Sequence, residues 1–342
     1  MQFPTRVSPH NIGNNSVSSV MRHVLVALVP GTLLYGLLFN SGVWLNILLA
    51  VTTAVLTEAL ILQLRKRPVA PAIGDLSAVV TAWLFALALP PLVPWWVIVT
   101  GIVFAIAIAK QLYGGLGFNP FNPAMVGYVV VLISFPRQLT AWSAPRSLEA
   151  VDSPTLGEVW QSLWGTLPVD AFTHATPLGA VKTGLSRSAT LPEIFAADGA
   201  IAGWLGAHSW EVVALAWLIG GIWMIRKRLI SWHLPVGFLA SLFTVSLFFY
   251  VLDSERFLSP LFHLFSGAAM LGAFFILTDP VSAPASHRGK LLFAAGAGIL
   301  VYVIRTWGGY PDAVAFAVLL MNLCAPAIDY FYRPPVFGER HG

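Results

Sequence analysis

The hydrophobic residues of this 342-residue chain fall into long runs that are separated by short polar stretches. An α-helix needs about 20 apolar residues to cross the hydrocarbon of a bilayer. Ten runs approach that length, and we predict a helical span at each: 21–40, 43–64, 76–93, 94–113, 119–136, 210–226, 231–252, 262–279, 289–306 and 312–332. Prolines interrupt and shorten the third span (Pro90, Pro91) and the fifth (Pro120, Pro123), because proline lacks a backbone donor and clashes with the preceding turn.

The composition agrees with an all-α polytopic membrane protein. Hydrophobic residues make up 57% of the chain and charged residues only 10%, against about 25% charged in an ordinary soluble protein. The net charge of +4 does not indicate a nucleic-acid partner, because basic residues cluster in short runs directly after apolar segments, as at 65–67 and 226–228. The single cysteine, Cys324, cannot supply a Cys-rich zinc site or an iron–sulfur cluster, so we expect no metal centre.

The distribution of positive charge predicts how the chain is oriented. Ten spans place both termini on one side, together with thirteen of the 19 Lys and Arg residues; six lie opposite. Because positive charge accumulates in cytoplasmic loops, we expect cytoplasmic termini. The chain then divides into a cytoplasmic N-terminal segment, a first five-helix repeat, one long extracytoplasmic loop, a second five-helix repeat and a cytoplasmic tail: 1–20, 21–136, 137–209, 210–332 and 333–342.

Two halves of the chain resemble one another. Lys110 is followed by an aromatic residue and the pair Gly114-Gly115, and Arg305 is followed by an aromatic residue and the pair Gly308-Gly309. The stretches 77–90 and 266–280 are also alike, although apolar, Gly-rich segments can match by chance. Because five is an odd number of spans, a second copy runs through the membrane in the opposite sense. Such inverted repeats with broken helices form binding sites where the repeats meet.

The segment 114–124 is the strongest helix breaker within the first repeat. Its prolines and glycines prevent a regular helix, and the amides of Asn119 and Asn122 can bond the carbonyls that this leaves unpaired. One interpretation is a re-entrant turn, and the other is a cavity for an ion or a planar cofactor, with Gly114 and Gly115 in its wall. Glu58 is the most deeply placed carboxyl group, and we interpret it as a snorkelling or paired charge in preference to an ion ligand.

The loop carries a short motif, Asp170-Ala-Phe-Thr173-His174-Ala175-Thr176-Pro177-Leu178. Taken alone, it describes a threonine-rich turn closed by a proline, which is a common loop feature. Together with the segments 114–124 and 278–284, however, it makes the whole chain, from the first span to about residue 330, resemble the RnfD subunit of the Rnf ion-translocating oxidoreductase. The chain is more distantly similar to the NqrB subunit of the sodium-pumping NADH:quinone reductase.

The resemblance implies a cofactor and a role. In that family the last threonine of the motif is joined to FMN through a phosphoester; here it is Thr176, within the motif residues Asp170, Thr173, His174 and Ala175. His174 stands where the family motif often has glycine. The resemblance also implies a second, non-covalent flavin (riboflavin) among the helices, with 114–124 as a candidate wall. A flavin-transferring enzyme would attach the FMN.

The implied function is a subunit of a translocase in the bacterial inner membrane, which couples electron transfer between ferredoxin and NAD(H) to ion translocation. The loop would be periplasmic, and the partners would be the Rnf A, B, C, E and G subunits and the lipid bilayer. The chain shows no dinucleotide-binding fingerprint after a strand, so we expect no catalytic residues and no NADH oxidation by this subunit alone. The alternative is a flavin-free channel or secondary transporter with the same inverted repeat, which the composition supports equally.

Overall fold

The computed structural model describes residues 16–147, 153–197, 201, 203, 205 and 208–332. Most of the predicted segment 1–20 and all of the predicted tail 333–342 lie outside these residues. Within the described part the regular structure is helical, and the sole β-type pairing is an isolated bridge between Ser143 and Thr173. Seven of the described helices are long and apolar enough to cross a membrane, and shorter apolar helices accompany them. The prediction of an all-α polytopic membrane protein is confirmed.

The helices divide into two bundles with a group of short helices between them. The first bundle contains α1 (Val17–Leu38), α2 (Gly42–Leu64), α3 (Val69–Gly74), α4 (Ser77–Leu87), α5 (Trp95–Val103, continuing as the π-helix Phe104–Leu112) and α6 (Pro123–Ser134). The intervening segment forms α7 (Pro136–Thr140), α8 (Leu156–Leu163), α9 (Pro177–Ser186) and α10 (Leu191–Ala197). The second bundle contains α11 (His208–Arg226), α12 (His233–Leu252), α13 (Pro260–Phe265), α14 (Ala269–Leu271, continuing as the π-helix Gly272–Ile276), α15 (His287–Trp307) and α16 (Val314–Phe331).

Three predicted spans are shorter than expected. The third ends as a helix at Leu87, before its proline pair, and the fifth begins at Pro123 instead of 119 because Asn122 caps it. The eighth, predicted as one helix over 262–279, is broken between α13 and α14. The break passes through Gly267, whose positive φ of 65° is a conformation that glycine adopts without steric cost.

Helix contacts follow a similar pattern in the two bundles. In the first bundle α2 packs against α4 and α5, and in the second α12 packs against α13 and α15. The first helices of the two bundles, α1 and α11, contact each other, as do the last helices, α6 and α16. Equivalent elements face each other across an interface when a two-fold axis relates them. Because α4 packs against α2 and α13 packs against α12, α4 and α13–α14 occupy corresponding positions in the two bundles.

Loops that the sequence places on one side of the membrane do lie together at one end of the bundle. The segment after α7 reaches the turn after α1, where the Arg146 amide donates to the Leu38 carbonyl at 2.8 Å. On α9, Lys182 reaches the turn after α15. We call this end the loop end. At the opposite end, Arg67 donates to the Gly114 carbonyl at 3.0 Å.

Candidate functional site

The motif in the long loop is held against the segment that follows α7. The His174 amide donates to the Trp142 carbonyl at 2.9 Å, and the Ala144 amide donates to the Phe172 carbonyl at 3.1 Å. These two hydrogen bonds flank the Ser143–Thr173 bridge. The motif is therefore extended at Thr173 and turns into α9 at Thr176.

Asp170, the first of the predicted motif residues, lies at the surface of the loop. Its carboxylate is exposed and lies 3.9 Å from the exposed Arg137 guanidinium, an arrangement that contributes little to stability. The Thr173 hydroxyl donates back to the Asp170 carbonyl at 3.1 Å, which closes the turn. The His174 ring lies beside the Ala175 carbonyl, with Nδ1 and the oxygen 3.0 Å apart. Of the predicted motif residues, Ala175 and Thr176 are those that face the large cavity described below.

Thr176 is the N-cap of α9, and its hydroxyl is directed at the helix start. Oγ1 accepts a hydrogen bond from the Gly179 amide at 3.2 Å, and Pro177 occupies the first helical position. A helix N-terminus carries unpaired amides and positive potential, which favour a phosphate group. A Cβ at residue 179 would lie 3.0 Å from Oγ1. Glycine at this position leaves room beside the hydroxyl for a larger substituent.

A cavity of about 610 Å³ opens beneath Thr176 at the loop end. It extends between the two bundles and is lined by α4, α6 and α7 on one side and by α11, α14 and α16 on the other. Its wall is mainly apolar and contains six large aromatic side chains: Tyr35, Tyr128, Trp142, Trp210, Trp217 and Tyr310. Cavities of 300–1,000 Å³ with apolar, aromatic walls are typical of cofactor sites. The cavity has the size and lining for a planar aromatic ring system.

Charged groups are confined to the mouth of this cavity. Lys182, on α9, donates from Nζ to the carbonyls of Arg305 and Tyr310 at 3.0 and 3.1 Å. Burial lowers the pKa of Lys182 below its usual value. Asp312 accepts from the Arg305 guanidinium at 3.0 Å and from the Ala268 amide at 2.6 Å. Lys182 thus fixes α9 to the second bundle, and Asp312 fixes the break between α13 and α14.

The opposite end of the bundle interface contains a smaller cavity of about 120 Å³, which Asn119 and Asn122 line together with Lys110 and Asp279. Asn122 Nδ2 donates to the Ile276 carbonyl at 3.2 Å, and the Asn122 amide donates to Asn322 Oδ1 at 3.0 Å. The Oδ1 atom of Asn119 is buried, and no described residue forms a hydrogen bond with it. Asn122 therefore joins the bundles at this end, whereas Asn119 Nδ2 donates to the Phe121 carbonyl of its own segment at 3.0 Å.

Gly114 and Gly115 do not share that cavity with Asn119 and Asn122. They line a separate cavity of about 250 Å³ beside α2 and α3, together with Glu58. Their φ angles of 130° and 102° lie in the region that favours glycine. Gly114 and Gly115 therefore line one cavity and Asn119 and Asn122 another, with Leu116 in the wall of both. The role of the four residues at a flavin or an ion stays a prediction.

The prediction that Glu58 is a paired charge is confirmed, and its partner is Lys110 at 2.6 Å, with both side chains buried. Lys110 Nζ also lies 2.6 Å from Ser77 Oγ at the start of α4. In the second bundle, the buried Arg305 donates to the Ser266 carbonyl at 3.3 Å, beside the break before α14. Lys110 and Ser77 are thus the counterparts of Arg305 and Ser266, as the aligned segments indicated.

Sequence reasoning missed three residues that organise these sites: Lys182, Asp312 and Asn322. The aligned Lys110 and Arg305 were a signal, because a buried cation needs an acidic partner. Asp312 lies only seven residues after Arg305 in the sequence. Lys182 and Asn322 gave no comparable signal, because each acts through backbone groups of a distant segment.

The fold defines an all-α polytopic membrane protein, with a cofactor-sized cavity between its two helical bundles. A family model described as "NQR2, RnfD, RnfE family" matches residues 4–338, and the chain belongs to that family. Two similar proteins, from Ectopseudomonas mendocina and Pseudomonas aeruginosa, are 53% and 52% identical over 99% of this chain and 97% of their own length. One from Aliivibrio salmonicida is 48% identical over the full length of both. All three are named as the D component of an ion-translocating oxidoreductase complex.

Proposed function

We propose that this chain is a membrane subunit of an ion-translocating oxidoreductase complex and that FMN is joined through a phosphoester to Thr176 Oγ1. The names of the full-length relatives support the first part. The second part rests on one observation: the Thr176 hydroxyl lies at a helix N-terminus and at the mouth of the 610 Å³ aromatic cavity. The complex would couple electron transfer between ferredoxin and NAD(H) to ion movement, with Rnf A, B, C, E and G as the partner subunits.

The residues around Thr176 fit the two ends of FMN. The phosphate would meet the first amides of α9, and Gly179 leaves space beside the ester oxygen. The apolar lining of the cavity would exclude water from the ring, while Trp142 and Trp210, whose rings are 5.6 Å apart, border the space. FMN supplies one- and two-electron transfer, and the protein supplies its orientation and electrostatic surroundings.

The proposed topology puts Thr176 in the periplasm, with both termini in the cytoplasm and the chain in the bacterial inner membrane. It is supported by the shared position of the loops at the loop end and by the basic runs at 65–67 and 226–228, which follow helices that end opposite. A covalent link is useful there, because a cofactor lost to the periplasm could not be replaced from the cytoplasm.

The riboflavin expectation stays a prediction. The cavity beside Asn119 and Asn122, at about 120 Å³, is smaller than the 300–1,000 Å³ of typical ligand sites. A flavin ring could enter only if the bundles moved apart around the Asn122–Asn322 hydrogen bond. The buried, unpartnered Asn119 Oδ1 is the acceptor that a ring NH group could then use.

Denaturing electrophoresis tests the proposed FMN attachment. Protein from cells that contain the flavin-transferring enzyme should give a fluorescent band, and Thr176→Val should give a dark one. Thr183→Val is the matched control, because Thr183 is a threonine on the same helix that also lines the cavity; its band should stay fluorescent. A dark wild-type band, or a fluorescent Thr176→Val band, would reject the attachment and favour the flavin-free channel or transporter.

A further inference from the structure

The loop helix α8 carries large apolar side chains on a face that no other described part of the chain covers. Leu156 and Trp160 on α8 and Trp164, its C-cap residue, recur at every fourth position and therefore lie along one side. They are 77%, 53% and 52% exposed, whereas Val159 and Ser162 on another side are buried against the protein. A continuous exposed apolar stripe of this kind marks an interaction surface.

This stripe continues onto a membrane span. The ring of Trp164 lies 6.0 Å from that of Trp160 and 6.4 Å from that of Trp95, which is the first residue of α5 and is itself partly exposed. The segment Trp95–Leu112 is one of the helices long and apolar enough to span the membrane. A Cβ at Gly165 would lie 2.3 Å from the Trp96 ring, so the end of α8 is packed closely against the start of that span. The end of α8 therefore lies beside the N-terminal end of the candidate span Trp95–Leu112.

We propose that Leu156, Trp160, Trp164 and Trp95, the tryptophan face, insert into the lipid interface of the leaflet at the loop end. Tryptophan is enriched at this depth, because its ring is apolar and its NH group remains hydrated. An amphipathic helix binds in the plane of the interface with its apolar side toward the acyl chains.

The polar features of α8 fit this placement. Its N-terminus is closed by a capping box, in which Glu158 Oε2 accepts from the Thr155 amide at 2.8 Å and from its hydroxyl at 2.7 Å. The charged carboxylate thus stays at an exposed helix end. The segment 153–165 contains no Lys or Arg, so the partner surface is the phospholipid interface itself and not an anionic headgroup cluster. By this contact α8 fixes the height of the loop relative to the bilayer.

Photo-crosslinking distinguishes lipid from protein on this face. In the assembled complex, reconstituted in vesicles of phosphatidylethanolamine and phosphatidylglycerol, we would compare Trp160→p-benzoylphenylalanine and Trp164→p-benzoylphenylalanine with Gln161→p-benzoylphenylalanine. Gln161 is exposed on the same helix, one position along. The phospholipid adduct, measured by mass spectrometry of the peptide, should be several-fold more abundant at 160 and 164 than at 161.

Two results would overturn the proposal. A crosslink from position 160 or 164 to another protein would show that a different chain covers the face. A lipid yield at these positions no greater than at 161 would show that α8 does not insert. Neither result depends on a flavin, so the outcome is independent of the function proposed for Thr176.

Discussion

The Glu58–Lys110 ion pair predicts a specific pattern of stability changes. Both side chains are at least 98% buried, and the Glu58 carboxylate oxygen Oε1 lies 2.6 Å from Lys110 Nζ and 2.7 Å from Gln111 Nε2. Lys110→Met removes the cation and leaves the carboxylate with only the neutral Gln111 amide. Glu58→Gln removes the anion and leaves the ammonium group with the Ser77 hydroxyl. In each case one uncompensated charge remains away from water.

Removal of one member of a buried ion pair costs about 3–5 kcal/mol, because the remaining charge is poorly solvated. We therefore expect each single variant to lose about 3–5 kcal/mol of unfolding free energy. The double variant Glu58→Gln, Lys110→Met retains no unpaired charge, and it should lose much less than the sum of the two singles. The difference is the coupling energy of the pair.

Reversible unfolding by titration with sodium dodecyl sulfate in mixed micelles would measure these free energies. The neighbouring substitution Leu112→Met, at an exposed position on the same helix, controls for general effects of substitution there. Single variants within about 1 kcal/mol of wild type would refute the reasoning, since that value is typical of exposed pairs. A double variant as unstable as the sum of the singles would refute it as well.

Three other predictions concern the loop end. Lys182→Met should lower the free energy of opening of the α9 amides, measured by hydrogen exchange, by about 1–3 kcal/mol, because charge-assisted bonds to the Arg305 and Tyr310 carbonyls are lost. Lys182→Arg should restore much of the protection. Equal exchange in all three proteins would contradict this role. Gly267→Ala should lower the unfolding midpoint, because the residue has a positive φ and the new Cβ would lie 2.6 Å from Asp312 Oδ2. Gly309→Ala is the control and should leave the midpoint unchanged, because no described atom lies within 4 Å of its Cβ. Equal midpoints for the two variants would contradict the expected strain at Gly267. Hydrogen bonds from Thr155 lower the pKa of Glu158 below its usual 4.5. The ionised carboxylate therefore stabilises α8 at neutral pH, and this stabilisation should be lost as the pH falls through the lowered pKa. Hydrogen exchange of the α8 amides should become faster over that pH range in wild type and not in Glu158→Gln.

The sequence was sufficient to predict the architecture because the membrane imposes a simple rule on length and polarity. Full-length apolar runs such as those of α2 and α12 became single helices close to their expected bounds. The prediction failed where a single residue interrupts a helix. Gly267, with its positive φ, separates α13 from α14 within a largely apolar run. Hydropathy averages over about 19 residues and cannot register one backbone conformation.

The site was partly predictable for a related reason. Thr176 could be singled out by its motif, but the cavity beneath it is formed by residues more than one hundred positions apart, such as Tyr35 and Trp210. The separation of Gly114 and Gly115 from Asn119 likewise depends on positive φ angles that composition does not specify. Resemblance to a family supplied the role of Thr176, and three-dimensional packing supplied its surroundings.

The two basic runs explain how two equivalent bundles can enter the membrane in opposite senses. In the first bundle the run at 65–67 follows the second helix, α2, whereas in the second bundle the run at 226–228 follows the first helix, α11. Leu116 and Leu229 line one cavity, and Arg67 binds the Gly114 carbonyl, so both runs lie at the same end. A shift of three cations by one helix is what the positive-inside rule requires of two bundles that cross the membrane in opposite senses.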